Sequence, residues 1–541
     1  MLWIKGKPGA GKSTLMKHTL RYCEEVFADH LIVAYFFNAR GEILEKTPLG
    51  MLRSIVYQLL EKDDTLYERF RPIYQKQRMY LERECVWRRE QLADFIRSVI
   101  KNRQSKPLLL LVDALDECND EDVRDVVGFL ECLSIDAVQT GVTLRICLSS
   151  RHYPHVSVRK TLELIVEASK EHTRDIATYI AQKLEGHNDD IKASVRQKAG
   201  GIFLWVVIVV SLLNKAYDDG RLEAMRKVLE EVPSDLEDVF NKLLGKDHTN
   251  MAEMVRMLQW VLLSQRPLKP EELFFAVLAG TAPEYTGPWD FSKITGRAIQ
   301  RRITASSRGL IEARRDAASV QFIHLSVNDF LFRNQRLQTL DQTLQPYPIS
   351  ASHGQLWDRC WSEIKRLNTT SKSEQGMRRL SEKYPFLLYA ANHMFDHAEK
   401  ALFGGAMRQE IVRWLQARKD WFGWWKTFLS TALSNRIGKV RYSQDEMDGG
   451  LLYMLSLSGY QKLVALVLAE GDADVNAQGG DYSNALQAAS VAEDAEIVQQ
   501  LLEHGADVNA QGGRYSNALW AASVRGYAEI VLLLVEHGAK Y

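Results

Sequence analysis

The stretch Gly6-Lys7-Pro8-Gly9-Ala10-Gly11-Lys12-Ser13 has the residue types and spacing of a phosphate cradle, GxxxxGK[ST]. Glycines let consecutive backbone N–H groups converge on phosphate oxygens, and a helix opening at the end of the loop adds its partial positive charge. In such a cradle Gly6, Gly9, Ala10, Gly11 and Thr14 line the phosphates, Lys12 reaches the β- and γ-phosphates, and the Ser13 hydroxyl ligates Mg²⁺. A second candidate is Pro107-Leu108-Leu109-Leu110-Leu111-Val112-Asp113, an apolar run closed by a carboxylate that can hold the same ion, usually through water. Ala114 follows directly and carries no base, so activation of water falls to Asp116 or Glu117; otherwise that pair caps a helix from about Glu121. Arg151, after Ser149-Ser150, is a candidate γ-phosphate sensor through charge-assisted hydrogen bonds, or else a surface arginine at a strand end.

These residues need strands and helices to converge. Leu2-Trp3-Ile4 reads as a buried strand and Thr14 to about Phe27 as an amphipathic helix, the flanks a phosphate cradle requires. Runs at 30–37, 107–113 and 142–148 read as further buried strands, and their unbroken apolar character suits a parallel sheet covered on both faces. Helical patterns follow at 48–62 and 89–101. Asp113 then sits at a strand's carboxyl end, where open α/β sheets bind ligands. From Glu171 to about Gly280 the pattern is helical, with stretches at 173–184, 202–216, 236–244 and 252–263.

At 541 residues the chain exceeds a single core. Its 69 Lys+Arg balance 69 Asp+Glu, so no global basic field argues for nucleic acid. Cys23, Cys85, Cys118, Cys132, Cys147 and Cys360 lack CxxC spacing, which points to reduced thiols in a cytoplasmic protein. The apolar run 202–213 is shorter than the ~20 residues a membrane span needs, and Lys198 and Lys215 bracket it, so a buried helix is expected.

The tail repeats at an offset of 33: Ala473-Asp474-Val475-Asn476 returns as Ala506-Asp507-Val508-Asn509, and Ser483-Asn484-Ala485-Leu486 as Ser516-Asn517-Ala518-Leu519. That is the ankyrin period, with a degenerate earlier unit from about Gly450 to Glu470, and its surfaces commonly take protein partners. Asp472 stands where the later unit has Gly505, so the first unit is expected to close less cleanly. No polar capping unit is visible, and the array is expected to be incomplete. Ahead of the repeats, between about Arg333 and Lys439, lies a tryptophan-rich helical connector (Trp357, Trp361, Trp414, Trp421, Trp424, Trp425), read as core packing.

Taken together, GKPGAGKS at Gly6–Ser13, LLLLVDALDEC at Leu108–Cys118, LSSR at Leu148–Arg151 and Ala199-Gly200-Gly201-Ile202-Phe203-Leu204-Trp205 resemble the NACHT family of signal-transduction ATPases, and most of all its fungal members linked to self/non-self recognition. The likeness spans about Met1 to Leu331. Phe203 stands where related receptors carry a proline near the adenine. Ile323-His324-Leu325 resembles the Met-His-Asp triplet of the class, keeping the histidine but not the aspartate. The resemblance implies an α/β P-loop domain at 1–168, a helical domain at 169–245, a winged-helix-like domain at 246–334, the connector at 335–445 and ankyrin repeats at 446–541. It further implies ATP or ADP with Mg²⁺, slow hydrolysis, His324 as a contact to the β-phosphate of ADP (a satisfied core histidine being the alternative), and homo-oligomerisation in the triphosphate state. Because the chain opens on the cradle's strand, an amino-terminal effector domain is expected to be missing. The rival functions are an ankyrin adaptor with a structural, non-hydrolysing nucleotide site and a constitutive ATPase motor.

Overall fold

The structure is a computed structural model of the 541-residue chain. It describes all residues except 39–42, 81–86, 103–105, 119, 153–160, 187–188, 219–221, 246–250, 282–293, 314–318, 334–335, 368–373, 404–407, 417, 435–441, 443–446, 448, 472 and 541. Cys85 and Asp472 therefore lie outside the described residues. The chain forms two compact units, Met1–Gly245 with His324–Phe330, and Lys246–Ile323 with Leu331–Tyr541.

The first unit holds a five-stranded parallel sheet, β1 (Leu2–Lys5), β2 (Leu31–Phe36), β3 (Leu108–Asp113), β4 (Leu144–Ser150) and β5 (Leu162–Ile165), in the order β2-β3-β4-β1-β5. Every residue of β3 is buried because successive side chains serve opposite cores. Leu108, Leu110 and Val112 pack with Trp3, Val33, Ile96 and Leu130, whereas Leu109 and Leu111 pack with Ile4, Met16 and Cys23. Since β4 runs between β3 and β1, its tip (Ser149, Ser150, then Arg151) emerges between Asp113 and the glycine-rich loop after β1. Trp3 Nε1 donates to Ser150 Oγ at 2.9 Å and ties those two strand ends together.

Helices Lys170–Lys183, Asp189–Lys198, Phe203–Asp218, Leu222–Glu231 and Leu236–Leu243 complete this unit. The long apolar run is the helix Phe203–Asp218, which buries Trp205, Val206, Val209, Val210 and Leu213. Among the described residues no helix is long and apolar enough to cross a membrane.

In the second unit helices Met251–Leu263, Pro270–Thr281 and Gly296–Ser306 precede an antiparallel pair, β6 (Ile311–Ala313) and β7 (Val320–Phe322), the element order of a winged helix. Buried Glu253 is satisfied there by Arg302 at 2.8 Å and Ser306 Oγ at 2.9 Å. The tryptophans form a core in the following helices, with Trp414 stacked on Trp421 at 5.1 Å between ring centroids. Three helix pairs then repeat: Leu451–Leu457 with Gln461–Ala469, Ala485–Val491 with Ala495–Glu503, and Ala518–Arg525 with Ala528–Glu536. Asn484 and Asn517 cap the inner helices, accepting from the N–H groups of Gln487 and Trp520 at 2.9 and 2.7 Å. Asn476 bridges to the next repeat, donating to Gly505 O and accepting from Asp507 N, and Asn509 does the same toward Gly538 and Lys540.

One polar chain is sealed inside the second unit. Gln265 N–H donates to the Tyr389 oxygen at 3.0 Å, Tyr389 OH lies 3.0 Å from His397 Nε2, and His397 Nδ1 lies 2.9 Å from His353 Nδ1. Each donor is satisfied when Tyr389 donates to His397 and His397 to His353, so both imidazoles are neutral. Burial holds His353 down to about 3, helped by Lys400 against the pull of Asp396, and burial likewise holds His397 well below the ordinary histidine value. Below the ordinary value of 6.5 the unfolded chain takes up protons that the folded one refuses. Stability should therefore fall with acidification, by up to about 1.4 kcal/mol per pH unit for each histidine. Hydrogen exchange in helices Pro348–Leu367 and Leu387–Ala401, compared between pH 7 and pH 5 after correction for intrinsic rates, should show the loss, and protection that stays constant contradicts it.

Candidate nucleotide-binding site

The loop after β1 turns through Gly9 (φ 77°) and Gly11 (φ 99°), left-handed positions that an L side chain resists. Gly9 is also sterically fixed: a Cβ there would stand 2.9 Å from Leu204 Cβ, and its carbonyl accepts from Leu204 N at 3.0 Å. Ala10 is fully buried behind the loop. Lys12 opens the helix Lys12–Val26 and folds back, its ammonium donating to the carbonyls of Gly6 at 2.9 Å and Lys7 at 3.1 Å. Burial lowers its pKa; Asp116 opposes that shift, Arg151 adds to it, and Asp113 and Glu167 oppose it. Lys12 is thus within electrostatic reach of Asp113, Asp116, Arg151 and Glu167.

Asp113, only 2% exposed at the end of β3, accepts hydrogen bonds from the hydroxyls of Ser149 and Ser13 and from Ala114 N–H. Burial raises its pKa, those hydrogen bonds oppose the rise, and nearby Asp116 adds to it. Ala114 N–H also donates to Ser149 Oγ at 3.1 Å, and Ala114 itself is left-handed (φ 53°), a strained turn that swings the short 3₁₀ helix Leu115–Glu117 off the strand. Ser13 and Asp113 are hard oxygen donors held side by side. They are the kind of donors that would hold a magnesium ion.

Asp116 is committed to Arg151: one carboxylate oxygen accepts its backbone N–H at 2.9 Å and the other takes Nε at 2.8 Å. Arg151 Nη1 meets Asp329 Oδ2 at 2.6 Å. The structure therefore gathers Gly6, Gly9, Ala10, Gly11, Lys12, Ser13, Asp113, Asp116 and Arg151 around one cradle, with Thr14 exposed in the first helical turn and Glu117 half-buried beside Asp116. His324 lies in the same unit. Its Nδ1 accepts from Ser326 N at 3.0 Å at the start of the helix Leu325–Phe332, which places the ring proton on Nε2, the nitrogen able to donate to a phosphate. The residue of that segment on Arg151 is Asp329.

Three contributors carried no sequence assignment. Glu167 accepts from Lys7 N at 3.2 Å and meets His152 Nε2 at 2.6 Å. Burial works to raise its pKa, but hydrogen bonds from His152 and backbone N–H groups outweigh it and lower the value. No motif marks Glu167, because it acts from a turn after the edge strand. Ser149 clamps Asp113, and two serines closing an apolar strand were the available signal. Asp329 had none. Phe203, at the place of the family's proline, rests against Tyr179 at 5.2 Å and His172 at 6.2 Å between centroids, and His172 bonds the Gly201 carbonyl at 2.9 Å.

The raised Asp113 pKa has a signed consequence. Above the ordinary carboxylate range the folded protein holds a charge that burial disfavours, so this group costs stability as pH rises. Asp113→Asn should therefore melt higher than the parent without nucleotide, by a margin larger at pH 8 than near pH 4, while losing Mg²⁺-dependent nucleotide affinity. Thermal melts across that range check both signs; a variant less stable than the parent at pH 8 contradicts the first.

Residues 1–151 match the family described as nephrocystin 3, N-terminal, and residues 451–541 match ankyrin repeats (3 copies). The chain is 24% identical over 351 residues to the vegetative incompatibility protein HET-E-1 of Podospora anserina, covering 61% of this chain and 24% of that protein. It is 28% identical over 297 residues to the azaphilone pigments biosynthesis cluster protein L of Monascus ruber, covering 51% of this chain and 60% of that protein. The chain thus spans less than two thirds of the length of either relative. Among solved structures, a chain from the structure of Drosophila ORC bound to DNA aligns over 61% of this chain and 80% of its own length at 13% identity and a TM-score of 0.29, too slight a likeness to carry an argument. The chain therefore joins a segment similar to the nephrocystin 3 amino-terminal family to carboxyl-terminal ankyrin repeats, resembles the fungal NACHT-type NTPases, and is distantly related to HET-E-1.

Proposed function

We propose that this protein is a nucleotide-dependent switch that binds ATP or ADP with Mg²⁺, couples the phosphate state to self-assembly, and docks a protein partner through its ankyrin repeats. The observation that carries the reading is the meeting of Ser13 and Asp113 beside Lys12, at the carboxyl ends of strands that only the sheet order brings together. When bound, a triphosphate and its magnesium supply the transferable phosphoryl group and neutralise its charge. The chain's own part is to orient them: Lys12 leaves the carbonyls of Gly6 and Lys7 for phosphate oxygens, and Ser13 and Asp113 hold the ion. The likeness to HET-E-1 supports a role in vegetative incompatibility, acted out in the cytoplasm.

Hydrolysis on this reading is slow. Ala114 puts no base beside Asp113, and Asp116 is engaged by Arg151, so water must be ordered by Asp116 or Glu117 from a less direct position. The same engagement of Asp116 favours a second reading, an ankyrin adaptor whose nucleotide is structural and never cleaved.

Lys12→Ala should weaken ADP and ATP binding at least ~30-fold, as expected for losing a partly buried charge partner of phosphate. Fluorescent-nucleotide titration measures it, and unaltered binding removes Lys12 from the site. Single-turnover hydrolysis by the parent should be detectable yet slower than ~1 s⁻¹. Complete absence of cleavage, with ADP that never exchanges, supports the adaptor, and faster steady turnover supports a motor.

A further inference from the structure

Arg151 is held from two sides. Asp116, from the turn after β3, takes its Nε and backbone N–H, which fixes the guanidinium plane. Asp329 takes Nη1 at 2.6 Å, with side chains 20% and 30% exposed for the arginine and the aspartate. Arg151 also acts electrostatically on Lys12, so its positive charge lies near the cradle's own lysine. Asp329 belongs to His324–Phe330, a segment that folds into the first unit although Ile323 and Leu331, its neighbours in the chain, belong to the second.

We propose that Asp329 is the residue by which this protein tells a diphosphate from a triphosphate, its carboxylate occupying on Arg151 the place that a γ-phosphate requires. The idea rests on the nucleotide-binding reading of the cradle. A diphosphate asks nothing of Arg151, and the Arg151–Asp329 pair persists. A triphosphate brings a group with more negative charge than a carboxylate and three acceptor oxygens, which competes for the same guanidinium edge and repels Asp329. Asp116 stays on Nε in both cases, so the arginine changes partner without losing its orientation. The free energy of breaking the pair is then subtracted from triphosphate binding alone. Differential affinity of that kind is what a ligand needs in order to shift a conformational equilibrium. Because Asp329 sits on the segment that returns the chain to the second unit, release of its carboxylate frees that segment from the first.

The test compares Mg²⁺-ADP with the non-hydrolysable Mg²⁺-adenylyl imidodiphosphate on the full chain. Asp329→Asn, which keeps the shape and removes the charge, should bind the triphosphate analogue about three- to tenfold more tightly than the parent, with ADP affinity within about twofold. Asp329→Glu, which keeps the charge, should retain the parental preference, and Arg151→Ala placed on Asp329→Asn should erase the gain. In the parent, hydrogen exchange in the helix Leu325–Phe332 should rise with the triphosphate analogue but not with ADP. Asp329→Asn that shifts both nucleotides alike, or neither, overturns the proposal. If Lys12→Ala leaves ADP binding intact, the failure lies instead with the cradle's assignment as a phosphate site.

Discussion

A carboxylate sealed at the end of β3 is the constraint around which the first unit is arranged. Asp113 is nearly inaccessible, and an ionised group there is tolerable only with several donors around it. The fold provides them from three chain segments: Ser13 from the first helix, Ser149 from β4, and Ala114 N–H from the strained turn. The place of β4 beside β3 brings Ser149 to Asp113, while Ser150 next to it serves Trp3. A small residue after Asp113 also suits the left-handed turn at Ala114, which is costlier for a β-branched side chain.

Much of this was legible in the residues because the apolar pattern and the chemistry agreed. The strand expected at 107–113 is β3 at 108–113, and helices at 48–62 and 89–101 appear with those limits. These elements are buried, so hydrophobic periodicity reports them directly. The strand β5 and the helix Asp64–Tyr80 went unread for the opposite reason. All four residues of β5 are exposed at the sheet's edge, and the helix is polar with Pro72 inside it. The loop, Asp113 and Arg151 were found by spacing along the chain. What spacing does not carry is who meets whom across long separations: Glu167 reaching back to Lys7, or Asp329 reaching Arg151. His324 drew attention as the motif residue, while the contact with Arg151 belongs to an aspartate five positions later that no motif marks.

The second unit depends on the same economy of polar groups in a different form. Its repeats use one asparagine per unit, Asn476 or Asn509, to satisfy a donor and an acceptor of the following unit. Such links join neighbours only, so the array gains stability step by step along its length. The helical connector, by contrast, buries Tyr389, His353 and His397 as a neutral hydrogen-bonded chain, which specifies one packing.

The close approach at Gly9 carries a mechanical meaning. Its carbonyl is bonded to Leu204, the second residue of a sixteen-residue helix, and no side chain cushions the gap. Any shift of that turn therefore bears directly on the foot of a stiff rod whose far end is Asp218.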